Sequence, residues 1–242
     1  MKKTKFEKTG GKQSNLLGVS FEKNTEKVWC DPAVWKNYNT SAPPSNPFEK
    51  AFQESMRKKG ISFIHSVRTV HIPKKDNGAS PKTDRCFLIN GKEKFKLSIK
   101  QTRSANVAVA ELSVDTINKE MREILPDDVL RGMGDFQIRG NQSLLREEGT
   151  VQDFKISIAP YVGSLGSLLL SGATSESNDV RVANLFVTYH VDKEGACAEV
   201  VVNTIKEKLA KIKGKGTFGT GFSWTYATGT RGRKIQFKVA TK

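Results

Sequence analysis

The feature that most constrains this chain is a hairpin written into residues 85–100. Arg85-Cys86-Phe87-Leu88-Ile89 is a run of strand formers, Asn90-Gly91 supplies a tight turn, and residues 94–100 form the returning strand. A hairpin in mid-chain commits the fold to a sheet and fixes which side chains share a face. Three polar groups are placed by it: Asp84 ahead of the first strand, and Ser98 and Lys100 flanking Ile99 on the second. With a two-residue turn, Asp84 falls opposite Leu97, and Asp84 and Lys100 face opposite sides. With a three-residue turn, Asn90-Gly91-Lys92, or with a bulge, Asp84 falls opposite Ser98, and all three polar side chains share one face. Asn-Gly by itself favours the two-residue type.

The rest of the chain supplies both helices and strands. Ser41-Ala42-Pro43-Pro44-Ser45-Asn46-Pro47 reads as a loop ending in a helix start, with Asn46 or Ser45 ahead of Pro47. The spacing of Phe48, Ala51, Phe52 and Met56 predicts a helix over residues 48–59, stopped by Gly60. Residues 61–72 alternate as a strand, and residues 109–125 are helical in pattern up to Pro126. After a glycine-rich middle, residues 183–191 and 196–202 read as a second hairpin, residues 204–213 as a short basic helix, and residues 217–240 as strands. Mixed strands and helices with hairpins predict an α/β domain on a mixed sheet.

Lys and Arg number 40 against 25 Asp and Glu, a formal net charge of +15 on 242 residues. Folding does not need that excess, so it points to a polyanionic partner, nucleic acid first and an anionic membrane second. The longest apolar runs, such as Gly166-Ser167-Leu168-Leu169-Leu170, are too short to span a bilayer, and no apolar stretch follows the basic Met1-Lys2-Lys3-Thr4-Lys5 as a secretory signal would require. Cys30, Cys86 and Cys197 form no CxxC pair, which argues against a disulfide framework and a zinc site and for a reducing cytoplasm. Gly214-Lys215-Gly216-Thr217-Phe218-Gly219 fits GxGxxG, but a strand follows it, so no nucleotide cofactor is expected. His65, His71 and His190 make no ligand pair. Trp29, Trp35 and Trp224 read as packing anchors.

Phosphodiester hydrolysis needs a carboxylate to hold a divalent metal and a cation to orient water and balance charge on the phosphorane. Asp84 and Lys100 supply both, provided the turn is odd in length. By spacing alone, an Asp at a strand start and a Lys on the next strand fit a solvated surface equally. Glu49, early on the predicted helix, is a second carboxylate or simply an exposed residue near a positive helix end.

Ser80-Pro81-Lys82-Thr83-Asp84 followed by Leu97-Ser98-Ile99-Lys100 resembles the catalytic segment of the MspI family of type II restriction endonucleases, within the PD-(D/E)xK nuclease superfamily. The likeness continues through Val107-Ala108-Val109-Ala110-Glu111 and Val114-Asp115-Thr116-Ile117. It returns over residues 218–229 and at Lys234-Ile235-Gln236-Phe237-Lys238, in the same order, and does not extend to residues 125–179. The resemblance implies a PD-(D/E)xK restriction-endonuclease-like core, a mixed central sheet flanked by helices, in a single domain over residues 1–242. Within it, residues 1–13 are expected to be frayed, residues 46–125 form a catalytic half and residues 181–242 a DNA-recognition half. Asp84 matches the metal-binding Asp and Lys100 the catalytic Lys. Ser98 stands where the family has an amide and the superfamily a second carboxylate. A Mg2+ ion would then lean on Asp84, the Ile99 carbonyl, water and the DNA phosphate, with Glu49 as the further acidic contact.

The C-terminal block suits a reader of the major groove. Thr225, Thr228 and Thr230 offer hydroxyls, Ala227 and Gly229 permit close approach, and Gln236 and Lys238 lie two apart on one strand face. Lys donates to guanine O6 and N7, Gln donates or accepts, and Glu111, which matches a recognition position of the family, can accept from the cytosine amino group. G·C pairs are therefore the expected target; the resemblance suggests CCGG, with GCGC second. Arg231, Arg233 and Lys234 are expected on phosphates. The partners implied are double-stranded DNA and a cognate DNA methyltransferase in the same prokaryotic cytoplasm, with no membrane. Monomer and homodimer both stay open. A non-catalytic packaging or coat protein explains the charge equally well but leaves the ordered segments unexplained. A structure-selective repair nuclease has no use for the base-reading block.

Overall fold

Asn46 opens the helix that the sequence predicts most clearly. Its side chain accepts from the Phe48 and Glu49 N–H groups at 3.0 Å each, Pro47 occupies the first turn, and α3 (Pro47–Lys58) buries Ala51, Phe52 and Met56 completely. The computed structural model describes residues 10–76, 78–122, 124–140, 150–227 and 229–241. Ahead of α3 lie α1 (Gly10–Trp29), which begins inside the stretch expected to fray, and α2 (Pro32–Asn39), capped by Asp31. These three helices cover one face of a five-stranded sheet.

That sheet, sheet A, has the order β1-β2-β3-β5-β6, from β1 (Val67–Thr69), β2 (Arg85–Ile89), β3 (Glu93–Thr102), β5 (Leu185–Val191) and β6 (Cys197–Thr204). Its pairs are antiparallel except β3 with β5, which run parallel. Parallel neighbours need a long crossover. Here the crossover carries β4 (Asn106–Leu112), α4 (Val114–Glu120), α5 (Asp127–Arg139), α6 (Thr150–Ile158) and α7 (Val162–Ser171). After β6 come α8 (Ile205–Ile212), with a capping box between Thr204 and Glu207, and then β7 (Ser223–Thr225) and β8 (Ile235–Ala240). Strands β4, β8 and β7 form an antiparallel sheet B in that order.

Two hydrophobic clusters result. Trp29, Phe52, Phe87, Phe95, Leu97 and Tyr189 lie between sheet A and α1–α3. Phe136, Phe154, Phe222, Trp224 and Phe237 lie between sheet B and the helices of the crossover. Trp224 braces sheet B as expected: it meets Phe136, Phe218 and Phe237 edge-on at 5.2, 5.2 and 5.4 Å, and its Nε1 donates to Thr220 Oγ1 at 3.0 Å.

Three expectations need correction. Residues 61–72 form a strand only at β1. The Asn39 and Asn90 side-chain amides take backbone groups that a neighbouring strand would have bonded, Asn39 at Ile64 and Asn90 at Phe63 and His65. Residues 109–112 are strand, not helix, because Val107 and Val109 are buried against β8, about 130 residues away in sequence; Ser113 then caps α4. The stretch Thr150–Ser171, 22 residues, is long and apolar enough by composition to cross a membrane, contrary to the reading of its apolar runs as too short. It is broken by a 3-10 turn at Ala159–Tyr161 and buries Phe154, Ile158, Leu165, Leu168 and Leu169 in the core, as a core helix does.

The first hairpin resolves the question of turn length. Ile89 pairs with Glu93, leaving Asn90-Gly91-Lys92 as a three-residue turn with φ of +52° at Asn90 and +71° at Gly91. Asn90 spends its side chain on the loop before β1, and the odd turn follows the register that a shared catalytic face requires.

Candidate active site

Asp84 sits one residue ahead of β2, and its N–H donates to the Leu97 carbonyl at 2.7 Å, so the ladder runs one step further and sets Asp84 beside Ser98. Asp84 Oδ2 accepts from the Ile99 N–H at 2.6 Å and from Lys100 Nζ at 3.0 Å. The N–H and C=O of a strand residue leave by the same edge, so the Ile99 carbonyl also faces the Asp84 side. Lys100 and Asp84 keep 21% and 20% of their side-chain surface exposed, which leaves the pair open to a ligand. Ser98 is fully buried, and its Oγ has no hydrogen-bond partner among the described residues.

Helix α1 adds a carboxylate that the sequence reading missed. Glu22 accepts from Arg85 Nη1 at 3.1 Å, and the Glu26 carboxylate forms an ion pair with the same guanidinium, 2.9 Å from Nε. Burial pushes the Glu22 carboxyl above the usual glutamate range, and the Asp84 charge pushes it further, against the pull of Arg85 and Lys100. The signal available was the four-residue spacing of Phe21, Thr25 and Trp29, all buried, which marks an inward helix face with Glu22 beside it. Glu49 is not drawn into this cluster. Its oxygens accept from the Ser45 N–H at 2.8 Å and Asn46 Nδ2 at 3.2 Å, closing the N-terminus of α3.

A divalent metal fits this donor set. Among the described residues no three His, Cys, Asp or Glu side chains gather into a cage. Magnesium does not require one; it takes one or two carboxylates with waters and substrate phosphate. Asp84, the Ile99 carbonyl and Glu22 are oxygen donors of that kind, and two mutually repelling carboxylates are relieved by a cation.

Lys82, two residues before Asp84, reaches away from the pair. Its Nζ donates to the Val109 carbonyl in β4. Burial, with the Lys100 and Lys75 charges, brings it down to about 7 against the pull of Asp84.

Sheet B presents a polar row outward. Ile235, Phe237 and Val239 are fully buried, so Gln236 and Lys238 face away from the core. Glu111 pairs with Gln236, and Gln236 with Thr225; Ala108 pairs with Lys238, and Lys238 with Ser223. Glu111, Gln236 and Thr225 thus form one cross-strand row, with Thr225 Oγ1 3.3 Å from Gln236 Oε1. Ser223 joins the next row and was not singled out from the sequence. Glu111 faces outward because of a bulge: Ala108 pairs with Lys238 and Ala110 with Phe237, leaving Val109 as the extra residue. In the loop before β8, Thr230 donates to the Ala227 carbonyl at 3.0 Å. Arg231 donates to the Arg139 carbonyl at 2.9 Å and lies over the Tyr226 ring, while Arg233 bonds the Gly229 carbonyl. Lys234 is exposed, its N–H bonded to Thr230; Thr228 lies outside the described residues. The glycine-rich segment ahead of β7 is a packing feature, since a Cβ on Gly216 would come within 2.7 Å of the Phe222 backbone.

A mixed sheet with its polar hairpin open on one side places this protein in the restriction endonuclease class of α/β folds. It superposes on the crystal structure of the restriction endonuclease MspI in complex with its cognate DNA with a TM-score of 0.77 at 23% identity, over 96% of this chain and 92% of that one. The sequence profile of the restriction endonuclease MspI family matches residues 1–239, and the chain belongs to that family of type II restriction enzymes, which are site-specific deoxyribonucleases. It is 28% identical to the type II restriction enzyme BsuFI of Bacillus subtilis over 94% of its own length, and spans 60% of that relative. It is 26% identical to the type II restriction enzyme MspI of Moraxella sp, spanning 91% of it. Family membership sets aside the packaging-protein reading.

Proposed function

We propose that this chain hydrolyses double-stranded DNA at a short CG-rich palindrome, CCGG first and GCGC second, with Mg2+ held by Asp84, the Ile99 carbonyl and Glu22. The observation that carries the reading is the register of the first hairpin, which brings Asp84 and Lys100 to 3.0 Å on one open face. When bound, the metal polarises the scissile phosphate and lowers the pKa of a bound water. Lys100 keeps one N–H on Asp84 and turns the others to the attacking water and the phosphate oxygens, where negative charge develops. Ser98, buried with its Oγ unpartnered among the described residues, offers no charge to a metal. Glu49 closes α3 and stands outside the chemistry.

Base contacts fall to the outward row of sheet B. The Gln236 amide and the Lys238 ammonium can both donate to guanine O6 and N7, and Glu111 suits the cytosine amino group. Thr230 and the backbone at Ala227 lie at the margin of that surface, Thr228 is assigned to it on the sequence alone, and Arg231, Arg233 and Lys234 take phosphates. The division into a catalytic half over residues 46–125 and a recognition half over residues 181–242 follows, except that Glu111 in β4 crosses to the recognition sheet and Glu22 lies ahead of residue 46. A site-specific nuclease of this kind works in the bacterial cytoplasm beside a methyltransferase that protects the same sequence.

The test is digestion of a plasmid of known sequence with magnesium and with EDTA. Discrete bands only with magnesium, with ends mapping to CCGG, support the reading in full. Ends at GCGC replace the first choice by the second, ends at any other site overturn the recognition assignment, and unchanged cleavage by Asp84→Ala overturns the catalytic one.

A further inference from the structure

We propose that Lys82 is a positioning residue that locks the catalytic hairpin to the β4 bulge and so sets Asp84 and Glu111 together. The bulge is the point where sheet B chooses its faces. Val109 lacks a partner on β8, and Val109 and Ala110 both pack toward the core. That double step turns Glu111 to the outer face beside Gln236; without it, strict alternation would send Glu111 inward. The extra residue of a bulge leaves its backbone groups outside the ladder, and a buried carbonyl without a donor is costly. Lys82 Nζ supplies the donor.

The lysine is held from the other side as well. Gly172, the left-handed residue that ends α7 at φ +91°, packs on the Lys82 stem so closely that a Cβ there would lie 2.7 Å from Lys82 Cβ. Next along the chain, the Thr83 N–H donates to the Arg181 carbonyl at 3.3 Å, and then comes Asp84. Lys82 and Asp84 are two positions apart with one residue between them, and so are Val109 and Glu111. A displacement of the bulge by a wrong base pair at Glu111 therefore reaches Asp84 through one side chain rather than through the core.

The inference rests on the reading of sheet B as the base-contacting surface. Lys82→Met keeps the length and apolar stem and removes the donor; Lys82→Arg keeps a donor. Single-turnover cleavage is measured on a CCGG duplex and on one with a single substitution in that site, with DNA affinity in calcium and Tm alongside. Lys82→Met should slow the CCGG duplex by about 100-fold, since a misplacement near 1 Å has that effect. The substituted duplex should slow far less, narrowing the ratio between the two, while affinity changes less than about threefold and Lys82→Arg recovers part of the ratio. An unchanged ratio, whether both rates hold or both fall equally, overturns the proposal. If Lys82→Met does not fold, a Lys82→Arg enzyme whose ratio matches that of a Gln236→Ala control overturns it, and one that stays near wild type supports it. Failure of the wild type to cut the CCGG duplex overturns the recognition reading instead, and Lys82 is then tested on the site mapped from plasmid ends.

Discussion

Removing the Lys100 ammonium group should stop cleavage and leave the protein standing. Lys100 Nζ lies 3.0 Å from Asp84 Oδ2, with part of its surface open to the side from which a phosphate would approach. A unit charge about 4 Å from the charge that builds on a phosphorane, at an effective dielectric near 20, contributes about 4 kcal/mol. That is a rate factor of about 10³, and screening by water at a partly open site trims it toward 10². Asp84 would keep its bond from the Ile99 N–H at 2.6 Å, so its oxygen is not left bare. An ion pair this exposed contributes on the order of 1 kcal/mol or less to folding. Lys100→Met should therefore cleave 10²- to 10³-fold more slowly in single-turnover assays, bind the same duplex with nearly unchanged affinity when calcium replaces magnesium, and melt within a few degrees of wild type. Cleavage within about tenfold of wild type would refute the assignment of Lys100 to the transition state.

Glu22→Gln should raise the magnesium concentration needed for half-maximal cleavage, because it removes the carboxylate whose charge opposes that of Asp84; an unchanged magnesium dependence would exclude Glu22 from the metal site. Gln236→Ala should reduce discrimination at one base pair by about 1–3 kcal/mol, read as the cleavage ratio between duplexes differing at that pair, with overall DNA affinity much less affected. Lys208 lies fully buried in α8, bonded to the Ala240 carbonyl, and burial, with Lys211 and Lys215, lowers it to about 8. The unfolded chain holds that proton to about 10.4. Between those two values the unfolded state binds more protons, so the native contribution of Lys208 improves as pH rises. The Tm of wild type relative to Lys208→Met should rise from pH 7.5 toward pH 10, and a constant difference across that range would refute the shift.

Elements whose signals are local can be read directly from the order of residues. Asn46-Pro47 with the stripe at Phe48, Ala51, Phe52 and Met56 specifies α3, because capping and helical spacing act within a few residues. The runs around Asn90-Gly91 specify β2 and β3, and with them the chain positions of Asp84, Ser98, Ile99 and Lys100. The charge of +15 points to a polyanionic partner whatever the fold. Tertiary structure decided the rest, because the deciding partners are far away in sequence. The turn is three residues long, with the Asn90 amide bonded to the segment before β1, and that length puts Asp84 and Lys100 on one face. Residues 109–112 become strand because β8 lies beside them, and the bulge at Val109 turns Glu111 outward because buried Phe237 takes Ala110 as its neighbour. Glu22 reaches Arg85, and feels the Asp84 charge, only after α1 packs on sheet A, and Glu49, which looks like its equal in sequence, is consumed by the start of its own helix. Local pattern fixes what each segment is and which residues it carries. Which of those residues meet depends on long-range pairing and packing, and no local pattern encodes that register.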